Sequence, residues 1–97
     1  MIKLTIVNSG AYVDKPATYT YFIKPEIVNE FVIEKEHAKD TYVVNMLTND
    51  DGLYNLGEFK TYMEAERLIE RVSHSMLLDS YTDVDKMREE IWIKSRQ

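Results

Sequence analysis

Cysteine is absent from the 97 residues. Disulfides, thiolate nucleophiles and zinc-ribbon sites are therefore excluded, and the core alone must supply stability. A reducing cytoplasm fits that composition. Three glycines and two prolines give little punctuation, so long elements and few loops are expected. No apolar run approaches the roughly 20 residues of a membrane span. The opening MIKLTIVNSG carries a lysine and a short alternation in place of the apolar stretch of roughly 7 to 15 residues that a secretory signal needs. A soluble protein without membrane contact is the expectation. Basic residues are also scarce, 12 against 17 acidic ones, giving a net charge of -5. That sign opposes direct binding to nucleic acid. It suits a protein partner with a basic surface, and it also serves solubility.

Chemistry-bearing patterns are sparse as well. His37 and His74 belong to no metal-ligand spacing. The run Ser73-His74-Ser75 cannot assemble a nucleophile and its base, because successive helical residues point in different directions. Asn49-Asp50-Asp51-Gly52 lacks the spaced oxygens and closing glutamate of a calcium loop. At YNLGEFKTYMEAERLIERV, Glu58 and Phe59 separate the glycine from Lys60-Thr61, whereas a phosphate-binding loop sets its glycine directly before Lys-Ser/Thr. No catalytic, cofactor-binding or metal-ligating residue is assigned.

The residues that are present describe a shape. A chain of this length builds one core, so a single α+β domain is expected, mainly β over residues 1–60 and mainly α over 61–97. Ile2, Leu4 and Ile6 alternate with polar residues as in a half-buried strand, and Asn8-Ser9-Gly10 reads as a turn. Thr18 to Lys24 is rich in β-branched and aromatic side chains. The segment PEIVNEFVIEKEH fits a helix with Pro25 at its first position, or a strand after a tight turn; the strand is the reading adopted. Thr41–Thr48 and Leu53–Phe59 flank the four-residue loop as a β-hairpin. Thr61 with Glu64 three residues on forms a capping box, and Ala65, Leu68, Ile69, Val72 and Met76 then share a helix face. Thr82 and Asp83 open a shorter helix with Val84, Met87 and Ile91 on one side. The expected fold is an antiparallel sheet of four or five strands packed by one amphipathic helix, with a short C-terminal helix.

The junction Leu56-Gly57-Glu58-Phe59, followed by Thr61, Glu64, Ala65, Leu68 and Ile69, resembles one found in small proteins of Firmicute phages and mobile elements, over about a fifth of the chain. The resemblance implies a short sheet with a packed helix and an accessory role for a mobile element, hence the cytoplasm of a bacterial host. It implies no catalytic residues, and the segment from Asp79 onward has no counterpart in it.

Function is sought in two surfaces. With residues 26–36 as a strand, Glu26, Glu30, Glu34 and Glu36 share a face with Val28 and Val32, opposite Ile27, Phe31 and Ile33. Such a strand presents carboxylates rigidly to basic side chains. The plainer reading of the same pattern is a solvated outer sheet face. Trp92 packs back on the sheet or serves as an interface anchor. Together they point to a non-catalytic protein-binding module, in its sharper form an inhibitor of a host defence nuclease, an anti-CRISPR candidate. The alternative is a small-ligand or nucleotide-binding protein with its pocket between sheet and helix or across a homodimer.

Overall fold

The computed structural model describes residues 1–8, 17–78 and 80–96. The elements run β1 (Ile2–Asn8), β2 (Ala17–Ile23), β3 (Val28–Glu36), β4 (Thr41–Thr48), β5 (Leu53–Phe59), α1 (Tyr62–Leu77), β6 (Thr82–Asp83) and α2 (Val84–Ser95). Asn8 closes β1; Ser9 and Gly10 of the expected turn lie outside the described residues. The strands form two three-stranded sheets, β2-β1-β6 and β3-β4-β5. The α+β class stands, but one antiparallel sheet of four or five strands does not: there are two sheets, and β6 pairs with β1 in parallel at Ile2–Thr82 and Lys3–Asp83.

Helix α2 gives the physical reason for the division. The Thr5 N–H, past the end of β6, donates to Asp85 Oδ1 at 2.9 Å. At the outer edge of β5, Arg88 Nη1 donates to the Leu56 carbonyl and Trp92 Nε1 to the Glu58 carbonyl, both at 3.0 Å. Unpaired strand-edge groups must be satisfied somewhere. Here side chains at 85, 88 and 92, on one stripe of a helix, hold both edges, so neither is left for the other sheet. Arg88 also bonds Asp85 at 3.1 Å and lies 5.3 Å from the Trp92 ring.

Period-two alternation puts Ile2 and Leu4 of β1, and Val44 and Met46 of β4, in the core with no exposed surface. Ala65, Leu68 and Val72 of α1 meet them, as their three- and four-residue spacing requires. The same face carries Ser75, whose hydroxyl shares a 2.7 Å bond with Thr82 and so escapes the cost of an unpaired buried polar group. Thr61 caps α1 by accepting from the Glu64 N–H at 3.2 Å, but the reciprocal half of the box differs. The Thr61 hydroxyl donates to the Glu64 carboxylate at 2.8 Å, so that carboxylate does not reach back to the backbone. Thr61→Ala removes both bonds and should lower stability by about 1 kcal/mol, read from a thermal melt by circular dichroism; an unchanged melt would show that the cap contributes nothing.

The β4–β5 hairpin closes through Asn49–Gly52, with left-handed geometry at Asp51 (φ 65°) and not at the glycine. Aspartate tolerates this region. The Thr48 hydroxyl accepts from the Gly52 N–H at 3.0 Å and donates to Asp50, whose carboxyl it holds below the usual range.

Candidate functional site

One face of the β3-β4-β5 sheet is covered by α1; the other carries the predicted acidic strand. The strand reading of residues 26–36 holds for Val28–Glu36, while Pro25–Ile27 form a single 3-10 turn. Glu26 therefore leaves the stripe. Proline at the first position favours a tight turn over an extended start, and a β-bulge between Val28 and Glu30 resets the alternation there. The remaining row, Glu30, Val32, Glu34 and Glu36, pairs with Leu47, Asn45, Val43 and Thr41 of β4. These in turn face Leu53, Asn55 and Glu58 across β5.

A second bulge lies at Asn45–Asn55 and Val44–Gly57, where Leu56 is the extra residue. Leu56 is fully buried, and its carbonyl is turned to Arg88. Asn55 Oδ1 bridges the bulge by accepting from the Gly57 N–H at 2.9 Å. Gly57 has φ 157°, and a Cβ there would lie 2.8 Å from Arg88 Cδ and 3.2 Å from the Phe59 ring. Glycine at this point lets α2 lie against the strand.

The open face holds a shallow basin of about 330 Å³ lined by Glu34, Glu36 and Glu58, by Lys35 and Lys39, and by Asn45 and Asn55, so its carboxylates outnumber its ammonium groups by only one. Asn45 at its floor is 9% exposed, and its amide makes no hydrogen bond among the described residues. Glu30, Glu34 and Glu36 join no ion pair among the described residues, so their charges are available to a partner. Glu58 meets Lys39 at 3.7 Å, an exposed pairing of small energetic weight. Lys35, which borders the basin as well, is paired with Tyr42 across the strands. Its ammonium lies 3.3 Å from the Asp40 carboxylate and over the Tyr42 ring, and the hydrogen bond to Asp40 together with nearby Tyr42 holds it above the ordinary lysine value. No family model, curated protein or solved structure matched this chain.

Trp92 is half-buried, its ring centroid 6.0 Å from that of Phe59. It lines a second depression, of about 490 Å³, with Thr41, Lys60, Thr61, Glu64 and Arg96. The buried Thr41 hydroxyl beside it has no hydrogen-bond partner among the described residues. Glu58 joins the two regions: the residue lines both depressions, and its carbonyl accepts a hydrogen bond from the Trp92 indole N–H. The acidic strand and the tryptophan, far apart in sequence, thus lie on adjoining surface. Sequence reasoning missed Glu58, Asn45 and Asn55. The hairpin register sets Asn45 and Asn55 on the Glu34 side, but alternation alone would turn Glu58 to the opposite face, and only the bulge at Leu56 brings it round.

Both histidines are exposed. No group of three or more His, Asp or Glu among the described residues is placed to hold a metal ion, and no helix is long and apolar enough to cross a membrane.

Proposed function

We propose that this chain is a small acidic, non-catalytic protein-binding module that sets the open face of its second sheet against a basic surface on a protein partner. The observation that carries the reading is the row Glu30, Glu34 and Glu36 on a rigid strand beside the amide-floored basin. Carboxylates fixed by a sheet require little reordering on binding, and fixed charge complementarity governs partner choice and association rate. In its sharper form the module is a phage or mobile-element inhibitor of a host defence nuclease, acting in the bacterial cytoplasm. Side chains two apart on a strand repeat every ~6.8 Å, about twice the ~3.4 Å axial phosphate spacing along one DNA strand. Glu34 and Glu36 on such a repeat suit a groove built for a polyanion.

The test is capture from extract of a bacterial host at low salt, with partners identified by mass spectrometry. Replacing Glu30, Glu34 and Glu36 together by glutamine should then weaken the captured complex about tenfold or more and flatten its salt dependence. An affinity and salt slope unchanged by the triple substitution would refute the acidic-face reading.

The rival, a small-ligand or nucleotide binder, draws on the Trp92 depression, where Lys60, Arg96 and a Thr41 hydroxyl without a partner among the described residues lie together. Glu58 and Glu64 border the same space and repel phosphate. Nucleotide retained by the native protein in mass spectrometry would favour the rival.

A further inference from the structure

Each sheet has two edges, and three of the four are protected. The β6 side of β1 and the outer side of β5 are taken by α2 through Asp85, Arg88 and Trp92. The β3 edge bears Glu30, Glu34, Lys35 and Glu36 and is kinked by its bulge, the devices by which natural edge strands avoid pairing. Strand β2 has none of them. ATYTYFI contains no charge, proline or glycine, and its register with β1 is unbroken from Ile23 to Ala17. Nothing among the described residues pairs with its outer edge. Tyr19, Tyr21 and Phe22 are 48%, 38% and 60% exposed.

We propose that β2 pairs antiparallel with β2 of a second copy of this chain, about a two-fold axis at Thr20, to make one continuous six-stranded sheet. The strand is self-complementary in that register. Ala17 meets Ile23 of the second copy, so all seven residues overlap. Tyr19 meets Tyr21 twice on one face, where Tyr21 already packs edge-on against Tyr54 with centroids 5.3 Å apart. Thr18 meets Phe22 twice on the other face, on either side of a Thr20–Thr20 pair. Aromatic and β-branched cross-strand pairs are those that stabilise sheets most, and two-fold pairing of one patch with itself is the commonest form of homo-oligomer. The three aromatics expose roughly 300 Å² per copy, taking ~200 Å² for a whole side chain. Wholly covered, they would bury about 600 Å² over the two copies, about half the ~1,200 Å² lower end of stable specific interfaces, with main-chain hydrogen bonds along the paired edges in addition. That area fits a dimer that dissociates on dilution. The pairing is independent of the acidic face, which belongs to the other sheet.

Position 20 is its own neighbour across the axis, which gives a register-specific test. Sedimentation of the wild-type protein between micromolar and millimolar concentrations should show the mass rising from 11.4 kDa toward twice that value. Thr20→Lys and Thr20→Glu, each at an exposed site, should remain monomeric with unchanged circular dichroism, because each sets like charges side by side. Mixed in equal amounts, they should associate. Amides on the outer edge of wild-type β2 should exchange slowly at high concentration and quickly on dilution, a readout that needs no variant. A wild-type monomer at millimolar concentration, variants that dimerise as well as wild type, or a mixture that stays monomeric would each overturn the proposal.

Discussion

Asp85→Ala should lower the stability of the protein by about 3 kcal/mol, because it removes one member of a largely buried, hydrogen-bonded pair and leaves the other without its counter-charge. The Asp85 and Arg88 side chains are 22% and 17% exposed, and Asp85 Oδ1 serves both the Arg88 guanidinium and the Thr5 N–H. The substitution orphans a strand-edge amide as well as a cation. For a domain of this size the loss corresponds to a fall of roughly 12–24 °C in Tm. Arg71→Ala provides the contrast. Its 2.7 Å pair with Glu90 spans α1 and α2 in a more exposed setting, 38% and 44%, and should cost no more than about 1 kcal/mol. Urea denaturation of both variants decides the matter: equal losses would mean that α2 is held by its apolar side alone.

Gly57→Ala is expected to destabilise by about 2 kcal/mol through overpacking and backbone strain together. The new methyl would sit against Arg88 Cδ and the Phe59 ring, in a conformation that side-chain-bearing residues rarely adopt. Arg88 cannot yield freely, since its guanidinium is fixed by the Leu56 carbonyl and Asp85. The coupling is separable. In an Arg88→Ala background the same glycine substitution should cost about 1 kcal/mol less, as expected for residues in direct contact. Full additivity of the two substitutions would show that the methyl group does not meet Arg88.

What could be read from the sequence follows from how local each signal is. The hairpin and α1 were legible because turn residues, a cap and a three- and four-residue apolar spacing all lie within a few positions of what they specify. Glu26 was misplaced because alternation cannot register a 3-10 turn and a bulge, each of which shifts the count by a residue. The division into two sheets was hidden for a different reason. It depends on Asp85, Arg88 and Trp92, three polar or amphipathic side chains that blur the apolar face of α2 when it is judged by hydrophobicity alone. Their spacing of three and four was visible; their partners, Thr5, Leu56 and Glu58, lie 80, 32 and 34 residues away. The acidic row was legible from β3 alone, but its basin needed the register of β4 and β5.

The parallel pairing of β6 with the start of β1 sets an order of assembly. The Thr82 N–H donates to the Met1 carbonyl at 2.9 Å, so the start of β1 is matched to a strand that is made only after β2 to β5 and α1. Until β6 and the first turn of α2 emerge, β1 has β2 on one side and water on the other, while the β3-β4-β5 meander has already met its local contacts. Long-range closures of this kind are slow because loop entropy is lost before contacts compensate for it. The nascent chain thus holds one finished sheet and one half-built sheet, and the uncharged β2 strand belongs to the half-built one.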